Sequence, residues 1–108
     1  MVSVAEVFKA FKEGFANKDS SKLAELLTDD FQWVSKAREM GKQETLDWTA
    51  AGGNPSAIDD LEVLYENDEV GVIHHSATRN RNEDGVAIAV FTKKDGKISG
   101  CRIVRTAT

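Results

Sequence analysis

The sequence predicts an α+β fold: three N-terminal helices packed on a strongly curved antiparallel β-sheet. Three observations carry this. Apolar residues in the first half recur at helical spacing, those in the second half alternate every second residue, and short polar turns between the later segments make neighbouring strands antiparallel. At 108 residues the chain is read as one domain, 1–108. A unit of this size buries roughly 60 to 65% of its unfolded-chain surface, enough for one core and not for two.

The first helix is expected over residues 3–15, where Val4, Val7, Phe8, Phe11 and Phe15 share one face and Ser3 with Glu6 forms a capping box. A new start at Asp19 or Ser20 leads into Leu23, Leu26 and Leu27, a short second helix that stops before Thr28-Asp29-Asp30. Residues 31–34 read as a short strand. Residues 41–51 carry Leu46, Trp48, Ala50 and Ala51 and end at Gly52-Gly53, a third helix with a thin apolar face.

After the Gly/Pro-rich patch at 52–55 the period changes. Leu61, Val63 and Tyr65 alternate with Asp60, Glu62 and Glu66 in a first long strand, and Asn67-Asp68 turns the chain. Strands follow at 70–79, 86–93 and 97–106, the last two joined by an Asp95-Gly96 hairpin turn. There is no internal repeat, low-complexity segment or linker.

Composition excludes several function classes. A formal charge of -4 with no basic stripe argues against nucleic acid. The longest apolar run, residues 86–91, is far short of the ~20 residues that span a bilayer, so no membrane partner is expected. Glu6 and Lys9 interrupt the N-terminus, which lacks the apolar core of a secretory signal, and a cytoplasmic location is expected. Cys101, the only cysteine, forms neither an internal disulfide nor a Cys-rich metal site and reads as a small buried apolar residue. No phosphate-cradling glycine pattern occurs, so no cofactor is implied. Arg79, Arg81, Glu83 and Asp84, with Asn80 and Asn82, read as a solvated hairpin loop.

Residues 86–91 are apolar on both faces: Ala87, Ala89 and Phe91 point one way, Val86, Ile88 and Val90 the other. Three short helices cannot cover both, and a large uncovered apolar patch marks an interface. The expectation is a homodimer packed sheet to sheet through Ile73, His75, Val86, Ile88 and Val90.

The order of these elements, with Asp-Asp-Phe-Gln-Trp at 29–33, Gly-Lys at 41–42 and Asp-Gly-Lys-Ile at 95–98, resembles the nuclear transport factor two-like superfamily and, within it, the SnoaL-like proteins. The resembling segments are 7–34, 41–51, 68–78 and 86–103. The resemblance implies a cone-shaped pocket between the concave sheet and the helices. Members include enzymes, ligand binders and interaction modules, so the fold leaves function open.

Ketosteroid isomerases, to which the chain is also similar, use an Asp base with an oxyanion hole made of a Tyr and a protonated Asp. Matching at Asn17 and Asp30 places Phe11 at the tyrosine, Ser35 at the base, and Ile88 or Ala89 at the late acid. That proton-transfer device is therefore missing.

His74 and His75 are neighbours on one strand, so their side chains leave opposite faces and cannot chelate one metal ion together. The SnoaL-like pattern implies that His74, with Val70, Val72 and Ser76, faces the pocket, whereas His75, with Ile73 and Ala77, faces the dimer side. His74 is then a weak catalytic candidate as general acid or base, with Asp30 or Asp47 as carboxylate partner. Scytalone dehydratase, a relative in fold, uses strand histidines, but its second one has no counterpart here. A hydrogen-bonded residue without chemistry is the preferred reading of His74.

The expected ligand pocket comprises Phe15, Trp33, Trp48, His74 and Phe91, with Ala87 and Ala89 leaving space opposite the helices. Phe8 and Phe11 read as plain core. The sequence thus points to a protein that binds a small, largely apolar molecule. The alternatives are a lyase or isomerase using His74 and a non-catalytic dimerisation module.

Overall fold

The computed structural model describes residues 2–53, 56–79 and 84–108. Its elements are α1 (Val4–Asn17), α2 (Ser21–Leu26), β1 (Leu27–Val34), β2 (Glu39–Gly41), α3 (Lys42–Ala50), β3 (Ala57–Glu66), β4 (Val70–Thr78), β5 (Gly85–Lys94) and β6 (Lys97–Ala107). The strands form one curved sheet in the order β2-β1-β6-β5-β4-β3, with the helices packed on its concave side. All neighbours pair antiparallel except β1 and β6, which run parallel. Consecutive strands joined by tight turns must be antiparallel; β1 meets β6 across the whole chain and escapes that constraint.

α1 begins as its sequence dictates. Ser3 Oγ accepts from the Glu6 amide at 3.1 Å, and the Ser3 amide donates to the Glu6 carboxylate at 3.1 Å. Its buried face, Val4, Val7, Phe8, Phe11 and Phe15, joins Leu23, Leu27, Phe31, Ile73, Ile98 and Cys101 in the core. The N-terminal end of α1 rests directly on β4, where a Cβ on Gly71 would lie 2.1 Å from Val4 Cγ1. The Glu66 carboxylate fixes that end, accepting from the Val4 amide at 2.7 Å and from Lys93 Nζ at 2.8 Å. A carboxylate at this position also meets the positive end of the helix dipole.

Two points differ from the expectation, the start of β1 and the presence of β2. β1 starts at Leu27 rather than Phe31, because a register irregularity against β6 between Leu27 and Gln32 buries Leu27 and Phe31 while Asp29 and Asp30 stay in solvent. Lys42 then reaches Asp29 at 3.5 Å and Lys94 reaches Asp30 at 3.3 Å, so the acid pair is compatible with a strand. β2 was not expected, since three residues are too short for a period to show. α3 buries Thr45, Leu46 and Thr49, with its threonine hydroxyls donating to the carbonyls of Gly41 and Thr45, both at 2.8 Å. Their methyl groups can then pack like apolar side chains.

The Asp95-Gly96 turn is as expected, with φ of 54° and 76°, the left-handed pair that matches the twist of a two-residue hairpin. Pro55, Asn80, Arg81, Asn82 and Glu83 of the expected turn and loop lie outside the described residues. Among the described residues no helix is long and apolar enough to cross a membrane.

Candidate ligand cavity

The cone between helices and sheet holds a cavity of about 620 Å³. Phe8, Phe11 and Phe15 of α1 and Trp48 of α3 form one wall, Trp33 of β1 a second, and the concave face of β4, β5 and β6 the third. Trp48 is wedged between two rings, with centroid distances of 5.1 Å to Phe15 and 5.2 Å to Trp33. Contacts of this geometry hold large, rigid surfaces in place.

The volume comes from residue size on the sheet. Ala77, Ala87 and Ala89 all face the cavity, where longer side chains would close it. Phe91 lies further along the same face of β5 as Ala87 and Ala89, and Ile73, Cys101 and Ile103 complete the apolar lining. Lys36, Ala37, Arg38 and Arg79 are exposed lining residues and mark the opening.

Of the expected pocket residues, Phe15, Trp33, Trp48 and Phe91 come together here; His74 does not. Residues directly opposite each other in an antiparallel pair share a face. Ile73 lies opposite Ala89 and His75 opposite Ala87, so Ile73 and His75 face inward with the alanines. His74 lies opposite Glu62 and Ile88 on the outer face. The expected interface set, Ile73 and His75 with Val86, Ile88 and Val90, therefore divides. The first two line the cavity, and the other three point outward. Phe8 and Phe11, expected to be core alone, line the cavity as well.

His75 is the buried polar group of the sheet wall, 4% exposed, its ring edge-on to Phe8 at 5.1 Å. Its Nδ1 lies 2.8 Å from the Ser76 carbonyl oxygen. Burial holds its pKa below the ordinary value near 6.5, the neighbouring His74 lowers it further, and the Ser76 carbonyl opposes the shift. The ring is thus neutral at pH 7 with its proton on Nδ1, and Nε2 has a lone pair with no hydrogen-bond partner among the described residues. Trp48 Nε1 is buried and makes no hydrogen bond among the described residues.

Asp30 accepts from Thr28 and Lys94, and Asp47 from Gln43, so neither serves a histidine. Phe11, Ser35 and Ala89, three of the positions matched to the ketosteroid isomerase device, all line the cavity. Cys101 lies on the wall with its thiol pushed up by complete burial, the opposite of what an attacking thiolate needs. Among the described residues no three His, Cys, Asp or Glu side chains are grouped to hold a metal ion.

No protein-family model matches the sequence, and no curated protein matches it. Solved structures do match. An NTF2-like protein of unknown function from Cytophaga hutchinsonii superposes with a TM-score of 0.76 at 8% identity, over 98% of this chain and 92% of its own. A candidate SnoaL-like polyketide cyclase from Jannaschia sp. CCS1 gives 0.72 at 19% identity, over 94% and 83%. A candidate ketosteroid isomerase from Kribbella flavida gives 0.75 at 12% identity, over 94% and 76%. The chain has the nuclear transport factor two-like fold, the cone that SnoaL-like and ketosteroid isomerase-like proteins share.

Proposed function

We propose that the protein binds a small, largely apolar molecule in the cone. The observation that supports this is an aromatic-walled cavity of about 620 Å³ lined on the sheet by three alanines. Binding sites for small molecules fall at roughly 300 to 1,000 Å³ and combine an apolar lining with a few fixed polar groups. A thermal-shift screen of apolar and amphipathic metabolites tests it. A ligand is expected to raise the melting temperature and perturb the fluorescence of Trp33 and Trp48. A set in which no compound does either removes the reading.

A second reading, proton-transfer catalysis of the lyase or isomerase type, rests on His75 in place of His74. An imidazole oriented through Nδ1 with a free Nε2 inside an apolar cavity is equipped to take a proton from a bound substrate. Its test is C–H exchange in D₂O, followed by NMR, for carbonyl compounds that bind. His75→Gln should abolish exchange while retaining binding, and absence of exchange by the wild type would exclude this chemistry.

A further inference from the structure

The cavity opening is lined by cations and, among the described residues, by no acid. Lys36 and Arg38 flank Ala37 in the connection between β1 and β2 and both line the opening. Arg79, just past the end of β4, and Arg105 of β6 line it as well. No described lining residue is Asp or Glu, although the chain carries 18 acidic residues against 14 basic ones.

The two cations of the β1–β2 connection have no carboxylate partner among the described residues. Lys36 makes no ion pair or hydrogen bond among the described residues. Arg38 donates to the Met40 sulfur at 3.7 Å, and its guanidinium lies 6.0 Å from the Trp48 ring centre. That places a cation at the rim against the same indole that walls the apolar interior. Arg105 Nε donates to the Ala77 carbonyl at 2.9 Å, which holds that side chain against the rim of the sheet.

We infer that the ligand is an apolar-bodied carboxylate whose acid group stops at Lys36 and Arg38 while its ring skeleton lies among Phe15, Trp33 and Trp48; this rests on the ligand-binding reading above. A planar guanidinium and an ammonium on one short connection suit a carboxylate, and a low-dielectric interior behind them favours an uncharged skeleton.

Three probes that share a skeleton separate the charge from the cavity: biphenyl-4-carboxylate, biphenyl-4-methanol and biphenyl-4-methylammonium, each titrated calorimetrically. The carboxylate should bind about tenfold more tightly than the alcohol, and the ammonium weakest. Added salt at about 0.5 M should shrink the carboxylate's advantage, because rim charges are exposed to screening. The double variant Lys36→Glu, Arg38→Glu should erase the preference of the carboxylate over the alcohol. Equal affinity for carboxylate and alcohol would overturn the inference while leaving the ligand-binding reading intact. A preference that survives the double variant would overturn the assignment to these two residues, and failure of all three probes to bind would remove the binding reading itself.

Discussion

Nδ1 of His75 lies 2.8 Å from the carbonyl oxygen of Ser76, and because a carbonyl can only accept, the proton of the neutral ring resides on Nδ1. Burial, the main cause of its lowered pKa, makes the folded protein refuse a proton that the unfolded chain accepts near pH 6.5. The unfolded state then binds more protons, so the stability tied to His75 is complete above about pH 6.5 and is lost as pH falls through the depressed folded value.

Denaturant titrations between about pH 8 and 5 should show a decline that begins near 6.5 and is absent in His75→Gln. Asp30, Asp59 and Glu66 are also held below their ordinary values, by bonds to Thr28, Lys12 and Lys93 respectively. Those carboxylates start from 3.8 to 4.5, so their losses come at lower pH than that of His75. A wild-type profile flat down to about pH 5 would mean that His75 protonates as freely as in the unfolded chain.

Ala89 supplies a sharper test of open space. It is 1% exposed to bulk solvent yet faces the cavity. In a filled core, Ala89→Leu would be overpacked and cost roughly 1 to 3 kcal/mol. With room in front of it, the added methylenes gain contacts, and stability should be unchanged or rise by about 1 kcal/mol. The same variant should weaken or abolish any ligand-induced thermal shift. A loss of more than about 2 kcal/mol in urea titrations would show that the sheet wall and the helices are already in contact there.

Glu66 joins three elements, taking the Val4 amide of α1 and the Lys93 ammonium of β5 on a carboxylate of β3. The Lys93 side chain is 3% exposed, so Glu66→Ala leaves a buried cation with only the Asn67 carbonyl, 2.9 Å away. The expected loss is roughly 2 to 3 kcal/mol, below the value for a fully buried pair because Glu66 is 28% exposed. Lys93→Met should cost less, and the double variant should lose less than the sum of the two single ones. Strict additivity in denaturant titrations would show that the two side chains are not coupled.

The parts of the fold that were legible in the sequence each combined a strong period with its own punctuation. α1 has five apolar residues on one face and a capping box, and β5 with β6 has an Asp-Gly turn at the right place. β1 was obscured because Asp29-Asp30 resembles a turn, whereas in the strand both carboxylates point into solvent, with Lys42 and Lys94 near them. The aromatic walls could be named because ring size alone suggests them. The histidines could not be assigned to faces by period alone: alternation separates His74 from His75 without saying which side the helices cover. Register decides, and Ala87 and Ala89 were the available signal. Small residues opposite bulky helices mark the inner face, and whatever pairs with them, Ile73 and His75, shares it. Rim charges drawn from the β1–β2 connection, the end of β4 and β6 have no common sequence pattern, since only the curl of the sheet brings Lys36 and Arg38 to one opening with Arg79 and Arg105.

The outer face of the sheet supports one more prediction, that the protein is a homodimer packed sheet to sheet. Ile88 is 47% exposed and Val104, directly opposite it on β6, is 73% exposed. Val90, 36% exposed, adjoins them on β5, and Tyr65, 56% exposed, extends the surface on β3. Covering such a patch with an identical sheet removes several hundred Å², worth on the order of 10 kcal/mol before association costs offset much of it. A two-fold contact sets each substitution close to its own copy, so Ile88→Glu introduces two like charges at the centre of the contact. Sedimentation should show the wild type as a dimer and Ile88→Glu as a monomer or aggregate, while Glu13→Lys on the solvent side of α1 changes nothing. A wild-type chain that sediments as a monomer at micromolar concentration would leave this face uncovered and the dimer reading wrong.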